Sequence, residues 1–134
     1  MAWITRFEDL IAWQRARLLA SRVAALTSRP QFDRRLRFRE QLHAAAVSVM
    51  SNIAEGFERA GPREFRQYLA IAKGSAGEVR SLVYHAFDSG LIDRAEFDGL
   101  IRQTEELGKI LGGLRRVLPG RIASKGRGPK PAKT

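Results

Sequence analysis

Two stretches of this chain carry apolar residues at alternating gaps of four and three. In the first, Phe65, Leu69, Ala72, Ala76, Val79, Val83 and Ala86 fall in line; in the second, Phe97, Leu100, Thr104, Leu107, Leu111, Leu114 and Leu118 hold the same spacing. That is the heptad seam of helices packed nearly parallel or antiparallel, and no alternation long enough for a strand accompanies it. Pro and Gly divide the rest. A first helix is predicted from about Glu8 to Leu26, with Ala12, Ala16, Leu19, Val23 and Leu26 as its seam. Thr5 and Glu8 offer a capping box there, and Asp9 an alternative cap. Arg29-Pro30-Gln31 breaks it. A second helix is predicted from about Leu36 to Arg59, capped by Asp33, with Leu42, Ala46, Val49, Ile53 and Phe57 inward. Pro62 opens the third helix, Gly90 closes it, Asp93 with Glu96 caps the fourth, and Pro119-Gly120 stops it.

Four such helices joined by short loops predict an all-α fold, an antiparallel up-down-up-down four-helix bundle spanning residues 1–118. Residues 119–134 hold Gly, Pro and cations with almost nothing to bury, and are predicted to be a disordered basic tail. Gly74, Gly77, Gly108, Gly112 and Gly113 fall inside helices, where each costs about 1 kcal/mol against Ala. The expected compensation is close packing, with Gly74-Ser75-Ala76-Gly77 admitting Ala44-Ala45-Ala46.

The first helix has more apolar surface than one seam needs. Phe7, Ile11, Leu18 and Ala25 form a second stripe, and Trp13, Ala20 and Ala24 a third. A bundle helix buries one stripe, so either another subunit covers the surplus or the core is wide on that side.

Charge is the skewed part of the composition. The chain has 24 Lys plus Arg against 14 Asp plus Glu, a net charge of +10. The positive excess sits at the two ends: nine Arg against Glu8, Asp9 and Asp33 up to Arg39, and five cations with no acid from Gly120 onward. An anionic partner, RNA or DNA above all, is one reading; a solubilising surface is the other. On the first reading the binding candidates are Arg6, Arg15, Arg22, Arg34, Arg35, Arg37, Arg115 and Arg116, with Arg121, Lys125, Arg127 and Lys130 in the tail.

Nothing in the sequence points to catalysis. Glu40-x-x-His43 is half of a di-iron bundle motif, but the only other histidine, His85, has Leu82 three residues before it. No metal site, cofactor or small-molecule substrate is expected, and no enzyme. There is no cysteine, which fits a reducing compartment. Met1 to Arg6 does not read as a signal peptide and no apolar run is long enough to span a bilayer. A cytoplasmic protein without membrane contact is expected.

On the second helix Arg37, Gln41, Ser48, Asn52, Glu55 and Arg59 share a polar stripe. Periodicity alone reads it as a solvated face; the alternative is a hydrogen-bonded strip that fixes subunit register.

Ala45-Ala46-Val47-Ser48-Val49-Met50-Ser51-Asn52-Ile53-Ala54-Glu55-Gly56-Phe57 resembles the Ala-Val-Ser-Ile-Pro-Ser-Asn-Ile-Ala-Glu-Gly signature of the 23S rRNA intervening-sequence family. Phe7-Glu8-Asp9-Leu10-Ile11-Ala12-Trp13-Gln14-Arg15-Ala16 resembles its opening. Glu64-Phe65, then Ala72-Lys73-Gly74-Ser75 with Glu78, resemble its third helix. The family usually has Pro where this chain has Met50, so a straighter second helix is expected here. The resemblance implies a four-helix bundle that assembles as a homo-oligomer, with a pentamer expected, and no established catalytic activity. A similar group, the small basic accessory proteins of diversity-generating retroelements, engages a reverse transcriptase and nucleic acid. The signature match gives Ser48, Asn52 and Glu55 a structural role, and places Trp13, Gly74, Ser75 and Glu78 with them as structural or interface residues.

Overall fold

A computed structural model describes residues 4–118. Four helices follow one another: α1 (Ile11–Thr27), α2 (Leu36–Glu58), α3 (Pro62–Asp88) and α4 (Arg94–Val117). Single 3-10 turns, Phe7–Asp9 and Pro30–Phe32, precede α1 and α2. Sequential helices pack side by side and α4 returns to α1, which makes the antiparallel four-helix bundle. No strand occurs among the described residues. The predicted tail at 119–134, with Arg121, Lys125, Arg127 and Lys130, lies outside them.

The heptad seams are the core. Leu69, Ala72, Val79, Val83 and Ala86 of α3 and Leu111 of α4 are sealed from solvent, as are Leu19 and Val23 of α1 and Ala46, Val49 and Ile53 of α2. Burying each such branched side chain contributes about 1.5–3 kcal/mol. Leu26, Phe57 and Leu114 are only half-buried at the bundle's margin. Thr27 is buried where Leu26 was expected, with its hydroxyl satisfied by donating to the Val23 carbonyl at 2.8 Å.

Three predicted helix starts have different outcomes. At α4 the Asp93 carboxylate accepts from the Glu96 amide at 2.8 Å and the Glu96 carboxylate accepts from the Asp93 amide at 2.9 Å, a complete capping box. At α1 the helix begins at Ile11 rather than Glu8, and neither Thr5 nor Asp9 caps it. Leu10 is extended and buried; it pulls the chain out of helical geometry so that it and Phe7 reach the core. Phe7 then meets Trp13 edge to face at 5.2 Å. At α2, Asp33 is not the cap. Pro30 starts the short turn, Phe32 at its end is fully buried, and Asp33 faces Arg39 at 3.6 Å instead. α2 runs unbroken through Met50.

The expected close approach at Gly74 and Gly77 is absent. A Cβ at either would meet nothing within 4 Å. Both look outward, while Ala45 and Ala46 are buried. The tight spot is Gly56, where a Cβ would lie 2.5 Å from Tyr68 Cβ. Of the surplus apolar stripes on α1, Ile11, Leu18 and Ala25 stay exposed, whereas Ala20 joins the core and Trp13 is half-buried.

At one end of the bundle the α1–α2 connection is tied to the α3–α4 connection. The Arg29 guanidinium donates to both Glu96 carboxylate oxygens, at 2.6 and 3.1 Å, and to the Leu91 carbonyl at 3.2 Å. Arg29 first, and then the Asp93 amide, hold the Glu96 carboxyl below the usual carboxylate range.

Candidate functional site

The polar stripe of α2 faces α3 along one open edge of the bundle. Gln41 donates to Glu78 at 3.3 Å, the Ser48 and Ser75 hydroxyls lie 2.9 Å apart, and Tyr68 donates to Glu55 at 3.2 Å. Residues 41, 48 and 55 step by seven, so they lie in one row along the helix. Asn52 sits inside this row and donates to the Ser48 carbonyl at 2.8 Å and its hydroxyl at 3.0 Å. Asn52 thus holds the Ser48 hydroxyl, whose contact with Ser75 stitches α2 to α3. Glu55 also accepts from Arg59 at 2.9 Å. Asn52 and Ser75 are half-buried, while Glu55 and Glu78 are exposed. The stripe is therefore a hydrogen-bonded seam at the surface.

Gly56 explains why the seam closes there. Its missing side chain lets Tyr68 lie against α2, and only then can the phenol reach Glu55. Arg59 stacks over the same ring, 5.3 Å from its centroid. Sequence reasoning passed over Tyr68; the signal was Gly56, directly after Glu55.

The candidate cations do not form one surface. Arg6 is paired with Glu8 at 3.2 Å, Arg15 with Glu106 of α4 at 2.7 Å, and Arg22 donates to Gln103 of α4 at 2.8 Å. The Arg22 guanidinium lies over Gly99, 2.6 Å from where a Cβ would be. Arg115 donates to the Arg66 carbonyl at 3.2 Å. Arg34, Arg35 and Arg37 are different. They are exposed around a hollow at the start of α2, and no carboxylate lies within 4 Å of them among the described residues. Arg17, half over Trp13 at 5.6 Å, was not a candidate.

Arg116 points along a second cationic region that the sequence reading did not assemble. Lys73 and Arg80 lie seven residues apart on α3, and Lys109 and Arg116 seven apart on α4; antiparallel packing sets the two pairs across one groove. The equal spacing was the available signal.

Among the described residues no group of three or more His, Cys, Asp or Glu could hold a metal ion. His43 lies exposed beside Arg39 and Glu40, and His85 packs edge to face on Phe38 at 5.2 Å. No described helix is long and apolar enough to cross a membrane.

The sequence model of the 23S rRNA-intervening sequence protein family matches residues 8–113, nearly all of the bundle. The chain belongs to this family. Comparison with curated proteins found no match. The residues that carried the resemblance line the α2–α3 seam: Ser48 meets Ser75, Glu78 meets Gln41, Asn52 holds Ser48, and Glu55 meets Tyr68, which lies over Gly56. The Met50 site, inside continuous helix, needs no kink to form that seam.

Proposed function

We propose that the protein is a non-enzymatic homo-oligomer that binds nucleic acid in the cytoplasm, as an accessory to a partner such as a reverse transcriptase, with five subunits the expected number. The observation that carries the nucleic-acid reading is the unneutralised cluster Arg34, Arg35 and Arg37 on a chain of net charge +10. Unpaired guanidinium groups at a surface are free to replace the counterions of a phosphate backbone. The reverse-transcriptase partner is carried over from the resemblance to retroelement accessory proteins read in the sequence.

The assembly reading rests on two unlike faces. Ile11 and Leu18 are 51% and 60% exposed, one heptad apart on the shoulder of α1 that carries Arg15 and Arg22. That shoulder borders α4, to which both arginines reach. On the opposite side lies the α2–α3 seam, with exposed Ile71, Glu55 and Glu78. Apolar residues flanked by Arg on one side complement apolar residues flanked by Glu on the other. Unlike faces join head to tail, and such contacts form a ring where the rotation between copies closes.

A protein-binding scaffold without a nucleic-acid role is the second reading, favoured by the same exposed apolar residues. Titration of labelled RNA and DNA with the full chain at rising salt separates the two. On the first reading binding is strong at low salt and falls on the order of 10³-fold between about 50 and 200 mM. Absence of binding at low salt gives the scaffold reading the lead.

A further inference from the structure

Between α3 and α4 lies an open groove of about 550 Å³. Its floor is made by Ala76, Gly77, Gly108 and Gly112, and Lys73, Arg80, Lys109 and Arg116 stand around it. A Cβ at Gly77 or Gly108 would meet nothing within 4 Å. The glycines therefore are not there to let α3 and α4 touch each other; they leave the floor low.

The charge in the groove is one-sided. Glu105 is its only acid among the described residues, and it is engaged by Arg80 at 3.2 Å. Lys73, Lys109 and Arg116 have no carboxylate within 4 Å among the described residues. Lys73 and Arg116 both lean over Gly112: the Lys73 Cε and an Arg116 guanidinium nitrogen lie 3.5 and 3.7 Å from where its Cβ would be. Unpaired like charges that converge repel each other, and an anion between them relieves this.

One turn past Arg80 on the same edge of α3 is Tyr84. Its ring is 51% exposed and is held edge to face by Phe97 of α4, with centroids 5.1 Å apart. An exposed aromatic, braced from behind, ends the cationic track. From Lys73 to Tyr84 the track is about 16 Å long at 1.5 Å rise per residue.

We infer that this groove binds a single strand of nucleic acid, with its phosphates on Lys73, Lys109 and Arg116 and a base stacked on Tyr84. Cationic tracks with aromatic platforms hold unpaired strands, because every base has a face to stack and the backbone supplies the charge. A base must be unpaired to stack on Tyr84, whereas a duplex keeps its bases paired and away from it. The inference rests on the nucleic-acid reading above and gives it a place. The groove lies on a different side of the bundle from the two proposed assembly faces, so a ring leaves every copy open.

The test is fluorescence anisotropy of the full chain with a labelled oligo-uridine RNA, an oligo-thymidine DNA and a blunt DNA duplex. Lys73→Glu with Lys109→Glu should weaken single-strand binding at least tenfold and lower the salt slope by about two. Tyr84→Ala should weaken the strands about tenfold and leave the duplex unchanged. Glu105→Gln should tighten binding, a gain that no folding defect produces. Arg34→Glu with Arg35→Glu, outside the groove, is the comparison. Equal losses in both double variants mean diffuse attraction and overturn the groove. Wild-type binding with Tyr84→Ala and Glu105→Gln indifferent also overturns it, while the broader reading stands. No wild-type binding to any of the probes overturns both. The RNA and DNA arms show which sugar the strand carries.

Discussion

Glu96 joins a helix cap to a tie between two loops. Its carboxylate takes the Arg29 guanidinium, caps α4 through the Asp93 amide, and sits with its pKa below the usual range. A depressed carboxylate stabilises the fold above its unfolded value, near 4.5, and that contribution is lost as pH falls through the lower folded value. Glu96→Gln should therefore be less stable than wild type at neutral pH, and urea melts should show the gap narrowing below about pH 4.5. A gap that stays constant with pH would mean the charge is irrelevant. Gly56 gives a second prediction. Gly56→Ala puts a methyl 2.5 Å from Tyr68 Cβ, so it should cost about 1–3 kcal/mol by overpacking, read as a lower denaturation midpoint. The capping box at Asp93 was legible in the sequence because its partners are three residues apart. The Gly56–Tyr68 contact was not, since it joins two helices across a loop and depends on their register.

The four helices were legible from the seams of α3 and α4, whose heptads translate almost directly into buried residues. The edges of α1 and α2 were not. Leu10 is drawn into extended geometry and Phe32 into a short 3-10 turn as both are buried in the core, a tertiary gain that local cap propensities at Thr5, Asp9 and Asp33 cannot register. The in-helix glycines were read the wrong way round for the same reason: whether a glycine faces a neighbour or solvent is decided by packing. At this scale Gly77 is informative. With nothing within 4 Å of its missing Cβ, Gly77→Ala should stabilise the unliganded protein by about 0.5–1 kcal/mol through backbone entropy and helix propensity. Urea denaturation measures it; a loss of stability would show that something occupies that space. The candidate cations were visible as residues, but which of them are neutralised, as Arg15 is by Glu106, depends on helices far apart in sequence.

For the whole molecule the proposed ring makes a direct prediction. Leu18→Glu places a carboxylate in the exposed apolar stripe of α1 without touching the core, so the chain should fold with an unchanged helical spectrum. Its mass by light scattering should fall toward 15.0 kDa, the mass of one chain. A wild type that is itself a 15.0 kDa monomer at micromolar concentration would end the assembly reading. The bundle is also unlike at its two ends. Arg29, Gln31, Leu91 and Glu96 clasp the two loops at one end. At the other, the 4–9 segment and the α2–α3 turn, with Ala60 at φ 63, meet around an open hollow. Thermal opening is then hinged rather than uniform: the helices part from the unclasped end, as the pages of a book part from its spine. Amide hydrogens near residues 12–15, 57–66 and 112–117 should exchange with deuterium sooner than those near 20–27 and 96–103, and Arg29→Ala should erase the difference.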